Sequence, residues 1–257
     1  MPIPIPDQIQ EMRDAGALFA VNHSAGKDSQ AMLMALREGG IPDEQMVVIN
    51  ADLGEVEWEG NLDHIEANSA GLPLIIAKPK TGFFDMVERR QMFPSAAQRQ
   101  CTSDLKRGPI ERELRRYLKE NPRFGGKLVN CMGMRAAESP ARAKKKALTF
   151  SARNSKAGRD WWDWLPIHHL STEEVFETIR SAGQEPHPAY ALGMTRLSCC
   201  FCILASASDL RISAQANPAL YRRYVETEQR IGHTLSMSRK PLTEVTGIIP
   251  CGLAAAA

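Results

Sequence analysis

The sequence predicts an α/β protein built on a doubly wound parallel sheet, followed by a cysteine-bearing C-terminal helical segment. Three observations carry that prediction. Apolar, β-favouring stretches at residues 17–22, 46–50, 73–77 and 127–132 alternate with helical periodicities at 28–38, 56–70 and 104–119, the order produced by strand–helix–strand units around a parallel sheet. The first stretch breaks into Ser24-Ala-Gly-Lys-Asp-Ser29 and then into a helical pattern, which reads as a strand, a tight turn and a helix start. The loops after residues 22, 50 and 132 all carry polar or charged residues, and the carboxyl ends of the strands are where such a sheet binds its ligand.

The first turn is the most specific element. Small residues at Ser24, Ala25 and Gly26 let backbone N–H groups approach an anion, the helix start adds partial positive charge, and Lys27 adds a full one. A polyphosphate is the natural guest; a turn that binds nothing is the bland alternative. The Walker A spacing is absent, since only two residues separate Ser24 from Lys27 and Asp28 follows. The segment Ser24 to Ser29 resembles the PP-loop, Ser-Gly-Gly-Lys-Asp-Ser, of the adenine nucleotide alpha hydrolases, with Ala25 in place of the first Gly. That resemblance implies a PP-loop sheet that cleaves ATP between its α and β phosphates or binds a sulfated adenylate. It also assigns Ser24, Ala25, Gly26, Lys27, Asp28 and Ser29 to the phosphates.

Asn50-Ala-Asp-Leu-Gly54 closes the second strand and places Asp52 at its carboxyl edge. A carboxylate there suits Mg²⁺ or nucleotide positioning, or else it caps the Glu-rich segment that follows. It resembles the Asp-Thr-Gly of sulfated-adenylate reductases and their ATP-cleaving relatives. After the fourth strand, Gly133-Met-Arg-Ala-Ala-Glu-Ser-Pro-Ala-Arg142 offers a glycine for close backbone approach, Arg135 and Arg142 to fork onto phosphate or sulfate, and Glu138 and Ser139 to orient them. This run is similar to Gly-x-Arg-x-x-(Gln/Glu)-Ser-x-x-Arg of the phosphoadenosine phosphosulfate reductase family. Residues 134–160 are basic and turn-rich, as in a mobile loop, and Lys144 to Lys146 read as a solvated run. Trp161, Trp162 and Trp164 read as packing residues, with stacking on a base as the alternative. Ser171-Thr-Glu-Glu174 is a capping box for a helix ending near Gly183, and residues 206–232 continue as helix.

Cysteines stand at 101, 131, 199, 200, 202 and 251, a spacing suited to metal or redox chemistry in a reducing compartment rather than to a disulfide framework. Cys131 falls within a strand and reads as core. The segments Arg99-Gln-Cys101-Thr-Ser-Asp-Leu-Lys106-Arg-Gly-Pro109 and Tyr190-Ala-Leu-Gly-Met-Thr-Arg-Leu-Ser-Cys199-Cys-Phe-Cys202 resemble those that hold a [4Fe–4S] cluster in adenylylsulfate reductases. The resemblance implies Cys101, Cys199 and Cys202 as thiolate ligands. Thr102 stands where the reductases have an adjacent cysteine, so either Cys200 is the fourth ligand or one iron stays open to hold hydrosulfide; zinc and inert buried thiols are the competing readings. Cys251-Gly-Leu253 matches part of the reductase tail, but Pro250 and Ala254 replace its Glu and His, and it reads as a chance match.

Composition excludes a strong whole-molecule field: the formal net charge is +2 with charges of both signs, which favours neither bulk nucleic-acid nor membrane binding. No signal-peptide order and no membrane-length apolar run is present, so the expected setting is cytoplasmic. The expected organisation is a nucleotide-binding domain over 1–205, cysteines included, with a helical extension and tail over 206–257 in which Ala254 to Ala257 are a disordered end. Over residues 15–205 the chain resembles the phosphoadenosine phosphosulfate reductase family, and within it the DNA phosphorothioation ATP pyrophosphatases of the DndC and SspD type. That resemblance implies ATP and Mg²⁺ as ligands, an iron–sulfur cluster, Lys27, Asp52 and Arg135 as catalytic groups, a cysteine desulfurase partner and a DNA acceptor. Two alternatives are an assimilatory reductase that releases sulfite and a nucleotide-sensing subunit without turnover.

Overall fold

Six strands, β1 (Leu18–Asn22), β2 (Met46–Ala51), β3 (Leu74–Ala77), β4 (Lys127–Cys131), β5 (Leu148–Phe150) and β6 (Asp160–Trp164), form one sheet in the order β3-β2-β1-β4-β6-β5. They are seen in a computed structural model that describes residues 3–252, so Leu253 and the alanines at 254–257 lie outside the described residues. β1 runs parallel to β2 and β4, and β4 parallel to β6, while β5 closes the edge antiparallel to β6. The central strands read as unbroken apolar runs because both faces are covered: every residue of β2, and Leu18 to Val21 of β1, is buried.

The helices follow in chain order as α1 (Asp7–Asp14), α2 (Lys27–Glu38), α3 (Asn61–Asn68), α4 (Phe83–Arg90), α5 (Gln100–Thr102), α6 (Gly108–Glu120), α7 (Pro140–Ala143), α8 (Thr172–Ser181), α9 (Ala207–Ala216), α10 (Pro218–Ile231) and α11 (Leu242–Thr246). Three expectations need correction. The helix expected over 56–70 begins only at Asn61, because Gly60 sits at φ 78° and ends the preceding turn. The helix expected over 104–119 starts earlier, as α5 runs through a π-helical turn at Ser103–Arg107 into α6. The region read as a loop over 134–160 contains α7 and β5, strand and helix segments of three and four residues that are too short to show periodicity. The capping box is present, with the Ser171 hydroxyl accepting from the Glu174 N–H at 3.1 Å. The 206–232 helix is split at Pro218, which lacks an N–H and opens α10.

The chain divides into two compact units, one of residues through 50, 60–77 and 110–187, the other of 51–59, 78–109 and 188 onward. The boundary expected at 205 therefore lies inside the second unit. The first unit carries the sheet, with Leu18, Val47, Leu114, Leu128 and Trp161 in its core. Trp161 and Trp164 are buried, as packing residues should be. The second is built on an aromatic cluster in which Tyr224 meets Phe84 at 4.8 Å, Phe201 at 4.9 Å and Phe93 at 6.1 Å between ring centroids. Among the described residues no helix is long and apolar enough to cross a membrane.

Candidate functional site

In the first unit, β1 hands the chain to α2 through His23-Ser-Ala-Gly26, and the loop is held by its own side chains. Ala25 adopts φ 60°, a left-handed conformation that costs a residue with a Cβ about 1–2 kcal/mol. Its N–H donates to His23 Nδ1 at 3.2 Å, the Ser24 N–H donates to Ser29 Oγ at 3.2 Å, and the Ser29 hydroxyl donates to the Gly26 carbonyl at 2.8 Å. Asn50 Nδ2 donates to the His23 carbonyl at 2.8 Å and ties the loop to the end of β2. Burial, with a smaller contribution from His64, lowers the His23 pKa to about 3, so Nδ1 stays unprotonated and can accept. The amides of Ser24 and Ala25 are thus turned into the loop, contrary to the expectation that they face an anion. At the start of α2 the Ser29 and Gln30 amides donate to the Gly26 carbonyl at 3.0 and 3.1 Å.

Lys27 and Ser29 are buried in the first turn of α2, and Lys27 Nζ lies 3.3 Å from Asp28 Oδ2. Arg135 does not present a free fork to a phosphate. It is 2 % exposed, and its guanidinium donates to Asp28 Oδ1 at 2.6 Å, the Leu170 carbonyl at 3.1 Å and Thr172 Oγ1 at 3.3 Å. The physical reason is burial: at this depth its donors are matched to fixed protein acceptors. Asp28 consequently bridges Lys27 and Arg135, and Arg135 positions the helix start that carries Lys27. The remaining motif residues fold the loop after β4. Glu138 accepts from the Arg135 N–H at 2.8 Å and pairs with Arg142, while Ser139 Oγ accepts from the Arg142 N–H at 3.2 Å. His168, unassigned from sequence, contacts the Arg142 carbonyl through Nε2 at 3.0 Å.

Gly133 permits this arrangement sterically. A Cβ there would lie 2.9 Å from the Asp28 carbonyl oxygen and 3.1 Å from the Ser29 nitrogen, both backbone atoms at the start of α2. Gly133→Ala is expected to destabilise the protein by about 1–3 kcal/mol through overpacking and to weaken nucleotide binding. Urea unfolding and nucleotide titration measure both, and an unchanged midpoint would show that the loop yields freely.

In the second unit, Asp52 follows β2 and makes two contacts. Its Oδ1 accepts from the Gly54 N–H at 2.8 Å, just ahead of a short 3-10 turn at Gly54–Val56, and its Oδ2 lies 3.6 Å from Lys78 Nζ. Leu53, not Asp52, stands at the N-cap of the following turn, and one Asp52 oxygen is directed at a cation.

The same unit holds Cys101, Cys199, Cys200 and Cys202, none of them in a disulfide. Cys101, Cys199 and Cys202 are half-buried and lie within electrostatic reach of one another and of Lys106. Burial pushes the thiols of Cys101 and Cys199 up and Lys106 pulls them back, while Lys106 is itself raised, first by Cys199 and then by Glu57. Cys200 differs: it is fully buried in the aromatic core, its amide donates to the Val56 carbonyl at 2.9 Å, and burial pushes its thiol up to about 12. Soft sulfur donors beside a cation fit a thiophilic metal or an iron–sulfur cluster in donor chemistry. Among the described residues, however, no three His, Cys, Asp or Glu side chains converge into a metal-binding group. Cys131 is core, as expected, and Cys251 is exposed. The sequence reading missed His23 and Glu57 and gave Lys106 no role; only the position of His23 next to Ser24 could have signalled it.

A strand, a tight turn and a helix start at the carboxyl end of a central parallel strand define an α/β protein of the PP-loop class. The chain belongs to the phosphoadenosine phosphosulfate reductase domain family, whose model matches residues 19–205. It is 30% identical over 160 residues to an uncharacterized 37.8 kDa protein of Escherichia phage 186, a match that covers 62% of this chain and 46% of that one. The chain thus spans about half the length of this curated relative. Among solved structures, FMN adenylyltransferase of Candida glabrata, in complex with FMN and the ATP analog AMPCPP, aligns with a TM-score of 0.50 at 15% identity over 79% of this chain and 62% of that one. Phosphoadenylyl-sulfate reductase of Candida auris aligns with a TM-score of 0.45 at 13% identity over 77% and 98%. The likeness to the adenylyltransferase is one of fold.

Proposed function

We propose that the protein is an ATP pyrophosphatase that activates an acceptor for sulfur transfer, with the DNA backbone as that acceptor. The observation that carries the reading is the loop after β1, where a helix start, the buried Lys27 and the Asp28–Arg135 pair form a preorganised polyphosphate cradle. The Lys27 ammonium and the backbone amides of Lys27 and Asp28 bind the pyrophosphate portion of ATP and offset the charge that builds on it as the α–β bond breaks. Arg135 acts as a positioning residue through Asp28. Asp52 is the carboxylate proposed for Mg²⁺, held in orientation by its bond to Gly54. The products are pyrophosphate and an adenylated acceptor. Cys101, Cys199 and Cys202 would hold an iron–sulfur cluster, which when bound supplies a centre for sulfur delivered by a cysteine desulfurase. The burial of Cys200 in the aromatic core favours three protein thiolates over four.

The test is phosphorus NMR of anaerobically purified protein with Mg²⁺ and ATP. Formation of AMP and pyrophosphate is expected, and Lys27→Met, which keeps the buried stem, should lower it by about two to three orders of magnitude. ATP left intact in the presence of DNA and a desulfurase would overturn the reading. The exposed thiol of Cys251 supports one competitor, a reductase of sulfated adenylates. Sulfite release that vanishes in Cys251→Ser would establish that competitor instead.

A further inference from the structure

Between Ser139 and Arg159 the chain carries seven lysines and arginines and no acidic residue, although the net charge of the whole protein is only +2. Folding neutralises part of this excess: Arg142 pairs with Glu138, and Arg153 with Glu111. Among the described residues, Lys144, Lys145, Lys146 and Lys156 are exposed and lie in no ion pair. The run Lys144–Lys146 leads into β5, and the Leu165 N–H donates to the Ala147 carbonyl at 2.7 Å just past the end of β6. Because β6, β4 and β1 are parallel, these lysines emerge at the carboxyl edge of the sheet, the edge at which the nucleotide loop leaves β1.

Beside them is an aromatic platform. Phe150, the last residue of β5, is 48% exposed. It pairs in register with Trp162 and meets it edge-on, with ring centroids 5.3 Å apart and planes at 66°. The Trp162 indole is fixed in turn by its N–H, which donates to Asp160 Oδ1 at 3.0 Å. Lysines on an edge strand guard against unwanted strand pairing, but Lys144 to Lys146 precede β5 rather than lie on it. Nor does that role account for a large aromatic ring held half in water on β5 itself.

We infer that the β5 edge binds single-stranded nucleic acid, with phosphates on Lys144 to Lys146 and a base stacked on Phe150. The ligand must be a polyanion with exposed planar faces. An acidic peptide has the charge without the repeated faces, and a duplex hides its faces in the stack. Binding here does not depend on ATP cleavage, whereas the use of the bound strand as an acceptor does rest on the function proposed above.

The test is fluorescence anisotropy of a short labelled oligonucleotide with the full chain, as DNA and as RNA of one sequence, over a salt series. Tight binding of either strand at low salt is expected, and the tighter of the two identifies the source. Replacing Lys144, Lys145 and Lys146 together by alanine should flatten the salt dependence by about two logarithmic units per decade. Phe150→Ala should weaken single-strand binding about tenfold and leave duplex binding unchanged, with Phe150→Trp restoring it. The inference is overturned by an absence of strand binding, by binding that survives both substitutions, or by anionic phospholipid vesicles being bound in place of a strand. Strand binding by a protein that does not cleave ATP would remove the proposed function and leave this surface standing. ATP cleavage without strand binding would do the reverse.

Discussion

Arg135→Ala is expected to destabilise the protein by about 3–5 kcal/mol, the cost of removing one partner from a buried ion pair. Three acceptors lose their donors at once: Asp28 Oδ1, the Leu170 carbonyl and Thr172 Oγ1. Asp28 keeps Lys27 at 3.3 Å, which softens the loss at the carboxylate, but the backbone carbonyl has no substitute. A domain of ordinary stability has about 5–15 kcal/mol in total, so the variant should sit close to unfolding at room temperature. Arg135→Lys should recover little, because one ammonium cannot reach acceptors that the guanidinium serves from three nitrogens. Urea unfolding measures both variants. A loss below about 1 kcal/mol would mean that the three bonds do not organise the loop. If Arg135 instead contacted substrate directly, Arg135→Ala would leave stability intact and abolish turnover.

Acidification below pH 6.5 is expected to destabilise the protein through two buried histidines. The folded-state pKa of His23 is about 3 against 6.5 for a free histidine, and that of His187 about 4, in each case through burial first and the neighbouring His64 second. Both rings are neutral in the folded chain, so below pH 6.5 the unfolded chain binds protons that the folded chain refuses. The contribution is therefore complete above the unfolded pKa and is lost as pH falls from there toward 3–4. For His23 the loss approaches about 1.4 kcal/mol per pH unit, or about 2 kcal/mol at about pH 5, with His187 acting in the same direction. His64 and His187 pack edge-on with ring centroids 5.1 Å apart, so charging one opposes charging the other. In the folded chain His23 takes up a proton only near pH 3, and there the Ala25 N–H loses its acceptor. Urea midpoints across the pH series measure the slope. His23→Asn, which keeps a side-chain acceptor and removes the titration, should flatten it. An identical slope in that variant would assign the acid sensitivity elsewhere.

The loop after β1 was legible in the sequence because its constraints are local: small residues, a lysine at a helix start and an apolar strand before it are adjacent in the chain. The same holds for the four strands at 17–22, 46–50, 73–77 and 127–132 and for the capping box at Ser171. Short elements such as α7 and β5 were not legible, since three or four residues carry no readable period. The interleaving of two compact units also escaped a linear reading, because residues 51–59 and 78–109 join 188 onward through contacts remote in sequence.

By itself, then, the amino-acid sequence determined the fold class, the family and the position of the strand–turn–helix junction after β1, all of which follow from patterns a few residues long. Only the tertiary structure decided what the polar groups of that turn do. Asp28 and Arg135 are 107 residues apart and meet at 2.6 Å, and that contact converts an expected phosphate fork into a brace for the helix start. It likewise separated Cys200, buried among aromatic rings, from Cys101, Cys199 and Cys202, which share the field of Lys106. The physical reason is common to both: burial and long-range pairing set which donors and thiols stay available, and neither quantity is carried by local spacing.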